Sequence, residues 1–520
     1  MMDNSIFQNL TNSATGSQWE AIGIKNHHGI ALPLFSLHSN KSCGIGEYLD
    51  LIPLIDWCQS IGFDVIQLLP LNDTGLETSP YSALSAYALN PIFLSLSQLP
   101  GGEETSSLKR QITELQIVTN RTQRVDYKSV QQRKDFFLRE YYRLHGANIT
   151  NQEDFKKFTK DNDFWLPQYA LFKSIKIQQG WSSWEQWPVF DPPPSDVNYH
   201  IFIQYLCFKQ FASVKKHAEE KGVFLKGDIP ILINRESADA WHHRNFFLLD
   251  LAAGAPPDMY SQEGQKWGFP LYNWDALASE NYRWWIERLT VAANLYHIYR
   301  IDHIVGFFRI WAIPLSRPAR DGHFVPEDRS TWIKHGETIM KVMVENSSML
   351  PIGEDLGTVP PEVRVSLRNL GICGTKVMRW ERRWEGDKSF IDPKEYIAES
   401  MTTVSTHDSE TLEMWWKNQS EEAKLYANSV GWTYTPTLSK KQRFDILNSS
   451  HKSGSLFHIN LLQEYLALFP EMVWPNPEDE RINLPGVISD KNWSYRFLPS
   501  IEQIVSNEKL KQDMIKMISP

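Results

Sequence analysis

Short apolar runs alternate with longer stretches of helical periodicity along the 520-residue chain. Seven of the runs are rich in branched residues and are bounded by loop residues, which is typical of buried strands. They predict strands at residues 29–34, 64–69, 223–229, 297–302, 349–354, 375–378 and 401–406. An eighth strand is expected near the C-terminus, where the pattern gives it no definite position. This alternation of strands and helices favours a parallel α/β fold.

Two segments depart from that alternation. Residues 101–198 are charged and helical in pattern without a clear strand, which predicts a mainly helical insertion subdomain between strands 2 and 3 of a single domain spanning 1–520. Residues 254–273 are rich in glycine and proline and predict a lid loop, in which Tyr260, Gln265 and Trp267 offer stacking and hydrogen bonding. A packed connector between a strand and a helix is the alternative for this segment.

Acidic residues stand at the ends of four predicted strands. Asp228 ends the third strand, Asp302 the fourth and Glu354 the fifth, and Asp408 follows the seventh. In an eight-stranded barrel the carboxyl ends of the strands meet at one rim, where the chemistry takes place. The pattern therefore predicts that four carboxylates gather at a single active site.

Composition excludes several other classes of protein. The 53 basic and 62 acidic side chains give a net charge of −9, so no basic face is available for nucleic acid or an anionic membrane. The sequence shows neither a signal-peptide pattern nor an apolar run long enough to span a membrane. The four cysteines are scattered, which favours reduced thiols and a cytoplasmic protein. The 20 Trp and 19 Tyr permit sugar stacking but do not by themselves identify a sugar-binding protein.

The acidic motifs fit the cleavage of a glycosidic bond with retention, which needs a carboxylate nucleophile and a protonated carboxyl. Asp302 lies two residues after Arg300, so both side chains leave the same face of a strand and the arginine favours the ionised carboxylate. A structural ion pair is the alternative. Glu354 is the candidate acid, and a helix-capping loop is its alternative. His407 and Asp408 can bind adjacent sugar hydroxyls, and their spacing does not match a metal site, so we do not expect a catalytic metal.

The motifs together resemble those of the 4-α-glucanotransferases, the amylomaltase or disproportionating-enzyme family. Ordered matches cover most of the chain: Gly44-Ile-Gly-Glu, Ser79-Pro-Tyr-Ser, Gly227-Asp-Ile-Pro, the 254–273 segment, the three acidic motifs, Asn483-Leu-Pro-Gly and Trp493-Ser-Tyr-Arg. The resemblance implies a (β/α)8 TIM barrel with helical insertions at the C-terminal rim and no C-terminal β-sandwich. It also implies transfer of an α-1,4-glucan segment to an acceptor glucan or glucose, without metal or cofactor.

By position, Asp302 is similar to the family nucleophile, Glu354 to the acid/base and Asp408 to the transition-state stabiliser. The positions similar to family residues that contact sugar are Tyr81, Asp228, Gln265, Trp267, Arg300 and His407. Departures from the family pattern include Gly353 where alanine is expected and Ser409 where asparagine is expected. They leave acceptor preference and the ratio of transfer to hydrolysis open. The alternatives are an α-1,4-glucan hydrolase with the same residues and a catalytically silent glycan-binding protein.

Overall fold

Eight parallel strands form the central sheet of the computed structural model, which describes residues 4–120, 122–188, 192–257 and 262–519. The strands are β1 (His27–Leu32), β2 (Val65–Leu68), β3 (Phe224–Ile229), β4 (Ile298–Ile301), β5 (Leu350–Gly353), β6 (Gly374–Val377), β7 (Ser400–Thr403) and β8 (Phe457–Leu461). Most of their residues are buried, as expected for parallel strands covered on both faces. The seven predicted strands are all present, with ends shifted by up to three residues, and β8 is the strand that the pattern could not locate.

The sheet is curved into a nearly closed barrel. Its strand order is β5-β4-β3-β2-β1-β8-β7-β6, with every neighbouring pair parallel. A single parallel bridge between Ile352 and Cys373 joins the two edge strands. In the described residues after β8, the chain forms helices and loops and no β-sandwich. The predicted fold class is therefore confirmed.

Helices precede the barrel and connect most of its strands. The α-helices are Asn4–Thr11, Gly16–Ile22, Leu51–Ser60, Ser106–Thr119, Tyr127–Thr150, Glu153–Asp161, Leu166–Gln178, Pro194–Lys221, Ala238–His242, Trp274–Ser279, Arg283–Ala293, Trp332–Glu345, Pro361–Asn369, Leu412–Asn418, Ser420–Ser429, Lys440–His451, Leu462–Leu466, Ile501–Val505 and Glu508–Ile518. Within the described ranges, none of these helices has both the length and the apolar character needed to cross a membrane.

Five of the α-helices lie between β2 and β3. The last of them, Pro194–Lys221, begins at a proline and ends at Gly222, whose φ of 66° is left-handed. This helix packs against Leu51–Ser60 and so belongs to the helical layer around the barrel. Two of the other four, Tyr127–Thr150 and Leu166–Gln178, reach the C-terminal rim, where Lys134 and Lys173 form buried ion pairs with rim carboxylates.

A four-stranded antiparallel sheet over the rim was not expected from the sequence. Its order is His323–Val325, Ile310–Pro314, Leu251–Ala255 and Gln265–Lys266. The segment 254–273, for which the sequence predicts a lid loop, also contributes Leu271–Tyr272 to a two-stranded sheet, so its described residues include short paired strands. Two-residue strands have no periodicity of their own, and their structure depends on pairing with residues far away in the chain.

Candidate active site

Strand register brings the predicted acidic residues together. Asp228 on β3 pairs with Arg300 on β4, and Gly353 on β5 pairs with Ile301. The residues that follow the last pair, Asp302 and Glu354, therefore leave neighbouring strands at the same level. The Glu354 amide donates to the Ile301 carbonyl at 2.9 Å, which extends the ladder by one residue. The barrel rim thus holds the two carboxylates side by side.

Arg300 is the centre of this group of carboxylates. Its Nη1 atom lies 2.9 Å from both Asp228 oxygens and 2.8 Å from Asp302 Oδ1. Its Nη2 atom lies 3.6 Å from Glu354 Oε2. Burial opposes the charge of the guanidinium, but the carboxylates, Asp228 first, raise the pKa of Arg300 above its usual value. One buried cation therefore contacts three carboxylates and holds them around a single guanidinium group.

Glu354 is held in an environment that keeps its proton near neutral pH. Burial raises the pKa of Glu354 to about 7, against the opposing effect of Arg300. Its oxygens accept from two backbone amides, those of His303 at 2.9 Å and Leu356 at 3.1 Å. A carboxyl with this pKa can both donate and accept a proton under physiological conditions, as a general acid and base must.

His303 presents its amide to Glu354 from an unusual backbone conformation. Its φ of 44° and ψ of 52° are left-handed, which is uncommon for a residue with a side chain. The ring of Trp267 meets the His303 ring edge-on, with the centroids 5.0 Å apart. Burial lowers the pKa of His303 to about 4, so the imidazole is neutral. The 254–273 segment therefore packs directly against the residue that orients Glu354.

Asp408 lies across the rim from these residues and is ionised. The Asn483 amide donates to Asp408 Oδ1 at 2.7 Å, and His407 Nε2 lies 3.3 Å from Oδ2. Burial acts to raise the pKa of Asp408, but His407 and Asn483 lower it to about 2. The side chain is still 46% exposed, so its carboxylate can meet a ligand in the cleft.

Tyr81 links His407 to the arginine-centred group. Its hydroxyl donates to Asp228 Oδ2 at 2.8 Å and lies 3.0 Å from His407 Nε2. Because the single hydroxyl proton goes to Asp228, His407 Nε2 must carry a proton and donate to the Tyr81 oxygen. Burial lowers the pKa of His407, but Asp408 outweighs this effect and raises it. The rings of Tyr81 and His407 are stacked with their centroids 5.6 Å apart, and this packing fixes the geometry of the hydrogen-bond network.

The structure brings together all the described residues that the sequence analysis assigned to the catalytic group, and most of the predicted sugar contacts. The indole nitrogen of Trp267 donates a hydrogen bond to Gln265 Oε1 at 3.0 Å. Trp267 reaches the group through His303. Tyr260 lies outside the described residues. In the part of the chain that the structure describes, no group of three or more His, Cys, Asp or Glu side chains is arranged to hold a metal ion.

Three groups at the site were not predicted as site residues. Asn483 belongs to a motif that resembles the family's, but nothing in that motif predicts its contact with Asp408. The backbone amides of His303 and Leu356 that bind Glu354 are not specified by any residue type. Asp355, beside Glu354, faces away and anchors the loop: its carboxylate accepts from Arg364 at 2.9 Å and from the Thr375 amide at 2.7 Å.

Comparisons with known proteins show which family the chain is similar to. A sequence model of a family described as 4-alpha-glucanotransferase matches residues 32–501. A protein of that name from Chlamydia pneumoniae is 44% identical over 527 residues, which cover 99% of each chain. Another from Chlamydia muridarum is 45% identical over 514 residues, covering 96% of this chain and 97% of the relative.

The fold also matches a solved structure. The amylomaltase from Streptococcus agalactiae in complex with acarbose superposes with a TM-score of 0.80, covering 95% of this chain and 99% of that chain. The two sequences are 23% identical, so this likeness establishes the fold alone.

Proposed function

The chain belongs to the 4-alpha-glucanotransferase family, and from this premise we propose that Asp302, Glu354 and Asp408 transfer glucan segments by a retaining double displacement. The enzyme is a glycosyltransferase that acts on α-1,4-glucans. Its donors are maltooligosaccharides, and its acceptor is the 4-hydroxyl of a second glucan or of glucose. The observation that carries the mechanism is the contact of Asp302 and Glu354 with one buried arginine, together with the burial that raises the pKa of Glu354 to about 7.

In the first half-reaction, an oxygen of Asp302 attacks the anomeric carbon of the donor. The bond from that carbon to the glycosidic oxygen breaks, and Glu354 gives its proton to the departing oxygen. The product is a glycosyl ester on Asp302 and a shortened glucan with a free 4-hydroxyl. Arg300 stabilises the ionised form of Asp302, because Nη1 donates to its carboxylate at 2.8 Å.

In the second half-reaction, Glu354 acts as a base. Its carboxylate takes the proton of the acceptor 4-hydroxyl, and the acceptor oxygen attacks the anomeric carbon. The ester bond to Asp302 breaks, so the configuration is inverted twice and retained overall. Asp408 and His407 bind the hydroxyls of the reacting sugar, and the negative charge of Asp408 stabilises the positive transition state. Tyr81, Asp228, Arg300, Gln265 and Trp267 complete the sugar contacts, and residues 254–273 act as a lid that excludes water.

The proposal is tested by replacing the two reacting carboxyls. Asp302→Asn is expected to lower kcat for maltotriose disproportionation about 10⁴-fold, and Glu354→Gln about 10²- to 10⁴-fold, because each removes a group that reacts. Glu385→Gln, on the exposed surface, is the matched control and should keep wild-type kcat. A fluorinated maltosyl donor should label Asp302 in the wild-type enzyme. Near wild-type turnover by either active-site variant would show that the roles are assigned wrongly.

The pKa of Glu354 predicts how activity depends on pH. The first step needs the protonated acid, so kcat/KM should change little between about pH 5 and pH 7 and fall about tenfold per pH unit above about pH 7. Asp408 stays ionised over this range, because its pKa is about 2. The measurement is the pH profile of kcat/KM with maltotriose, with Glu354→Gln as the variant that lacks this titration. Constant activity up to about pH 9 would contradict the acid role.

A further inference from the structure

The loop that carries His407 and Asp408 joins β7 to the helix Leu412–Asn418. We define it as the stabiliser loop, residues 404–411. A turn within it is closed by Ser409, whose hydroxyl accepts from the Thr406 amide at 2.9 Å. This bond fixes only the middle of the loop. Asn483 and Tyr81 contact Asp408 and His407 directly, and the path of the loop backbone that carries these two residues depends on what holds its two ends.

Glu464 holds both ends of the stabiliser loop with one oxygen. Its Oε1 atom accepts from the Ser405 hydroxyl at 2.6 Å and from the Leu412 amide at 2.9 Å. These two donors flank the loop, one just inside its start and the other just beyond its end. The side chain is 1% exposed, so no water competes for the carboxylate. Because neither buried donor can turn to water instead, removal of this accepting oxygen would leave both donors unpaired.

Glu464 itself is rigidly placed. It lies in the helix Leu462–Leu466, which begins directly after β8, so its backbone is fixed to the barrel. From β8, Asn460 Oδ1 accepts from the Val404 amide at 2.9 Å, at the start of the same loop. The opposite side of the loop is held by Arg379, which donates to the Glu410 carbonyl at 3.0 Å. The eighth strand and its helix thus supply most of the frame for residues that the seventh strand brings to the site.

We propose that Glu464 is a positioning residue for glucan transfer, which closes the stabiliser loop and so sets where Asp408 meets the sugar. The inference rests on the role proposed for Asp408. Glu464 does not face the cleft and touches no reacting atom, so it acts through the loop alone. A displacement of about 1 Å at a transition-state contact can lower the rate about 10²-fold. Loss of the two hydrogen bonds should therefore lower kcat much more than it raises KM.

Four variants separate this role from a general effect on folding. Glu464→Met removes the accepting oxygen and should lower kcat about 10²-fold. Glu464→Gln keeps an oxygen at the same place without the charge, and should recover most of that loss. Ser405→Ala removes only one of the two bonds and should lower kcat about tenfold. Glu413→Gln is the matched control. Glu413 pairs with Arg443, which also faces Glu464, but the Glu413 side chain makes no hydrogen bond to the stabiliser loop.

The measurements are kcat and KM with maltotriose, together with Tm for each variant. The expected result is a fall in kcat for Glu464→Met and Ser405→Ala at nearly constant KM, while Glu413→Gln lowers Tm without lowering kcat. If Glu464→Met does not fold, Ser405→Ala decides, and wild-type kcat in that variant would overturn the inference. A loss in Glu464→Gln as large as that in Glu464→Met would also overturn it, since charge and not the accepting oxygen would then matter.

Asp408→Asn distinguishes this inference from the proposed function. One outcome is that Asp408→Asn is inactive while Ser405→Ala and Glu464→Met are fully active. In that case the role proposed for Asp408 in catalysis stands, but the inference that Glu464 positions Asp408 is wrong. If Asp408→Asn is fully active, the role proposed for Asp408 is itself wrong and the inference falls with it.

Discussion

At the scale of single residues, a buried lysine beneath the active site is the least expected group. Lys226 lies on β3, two residues before Asp228, so it points into the barrel on the same side. Its amine contacts Gln67 Oε1 at 2.7 Å on β2 and Met401 Sδ at 2.9 Å on β7. Neither partner is charged. Burial, together with the nearby charge of Arg300, therefore lowers the pKa of Lys226 to about 7.

Lys226→Met is expected to stabilise the protein against urea. In the unfolded chain the lysine has its ordinary pKa of 10.5, so below about pH 7 folding buries a charge without a carboxylate in contact. Between pH 7 and 10.5 the unfolded state binds a proton that the folded state does not, so wild-type stability rises with pH through this window. The advantage of the methionine variant should thus be largest at pH 7 and below, and shrink as the pH rises.

The measurement is the free energy of unfolding in urea at several pH values. Lys216→Met, at a side chain that is 78% exposed, is the control and should change stability by less than about 0.5 kcal/mol. A methionine variant that is less stable than wild type at every pH would mean that the two neutral contacts outweigh the buried charge.

Single residues also explain two departures from the family pattern. A Cβ atom at Gly353 would come within 2.7 Å of Ile304 Cδ1, so the glycine leaves room for the isoleucine side chain. Ser409, where asparagine is expected, closes its own turn through the Thr406 amide. Both Glu354 and Asp408, the carboxylates beside these two positions, are present in the chain. Both differences are visible in the sequence, whereas the contacts around Gly353 and Ser409 are visible only in the structure.

At the scale of elements, the helices inserted between β2 and β3 are attached to the barrel rim by buried ion pairs. Lys134, from helix Tyr127–Thr150, contacts Glu47 Oε1 at 2.6 Å, and both side chains are 2% exposed. Lys173, from helix Leu166–Gln178, contacts Asp73 Oδ2 at 2.6 Å. Both carboxylates belong to the rim, after β1 and after β2. Charge, in addition to apolar packing, therefore fixes where the inserted helices sit.

Lys134→Met should destabilise the protein by about 3–5 kcal/mol, because it leaves Glu47 buried and unpaired. The double variant Lys134→Met with Glu47→Gln should recover part of this loss, since no charge is then buried alone. Lys157→Met breaks an exposed pair with Asp161 and should cost less than about 1 kcal/mol. Urea unfolding measures all three. If Lys134→Met were as stable as Lys157→Met, the buried ion pair would not be what holds the inserted helices in place.

Elements also show how far the sequence could be read. Seven strands were predictable because each is a short apolar run followed by loop residues, and the chemistry at their ends located Asp302 and Glu354. β8 could not be located because two of its five residues, His458 and Asn460, are polar although fully buried. Their hydrogen bonds to Ser450 compensate for burial, and such bonds leave no trace in a hydrophobic pattern.

Supporting contacts within the site were hidden for a similar reason. Asn483 reaches Asp408 across 75 residues of chain. Glu464 reaches Ser405 across 59 residues. A carboxylate or amide in a helical or loop segment looks like an ordinary surface residue until the fold brings its partner to it. Residues that react, and partners such as Arg300 on the same strand, can therefore be recognised from motifs at strand ends, whereas partners that come from distant helices and loops cannot.

At the scale of the whole molecule, the barrel has its sparsest backbone pairing where β5 meets β6, and we expect it to open first at this junction. Only one backbone bridge joins these strands, with the Gly353 amide donating to the Cys373 carbonyl at 2.8 Å. Side chains replace the missing ladder. The Thr375 hydroxyl donates to the Gly353 carbonyl at 2.9 Å, and Asp355 accepts from the Thr375 amide at 2.7 Å. Gly374 permits this approach, since a Cβ atom there would lie 2.8 Å from Asp355 Oδ1.

Thr375→Val tests whether these side chains close the barrel. The substitution keeps the shape of the residue but removes the hydroxyl, and should cost about 1–3 kcal/mol because a buried carbonyl loses its donor. Hydrogen exchange followed by mass spectrometry should show faster exchange in peptides covering β5 and β6, with β1 and β2 unchanged. Since Glu354 directly follows β5, kcat should also fall several-fold. Thr338→Val, at an exposed helical hydroxyl, is the control. Equal loss of protection in all eight strands would mean that the barrel opens as one unit and that its β5–β6 junction is not a separate weak point.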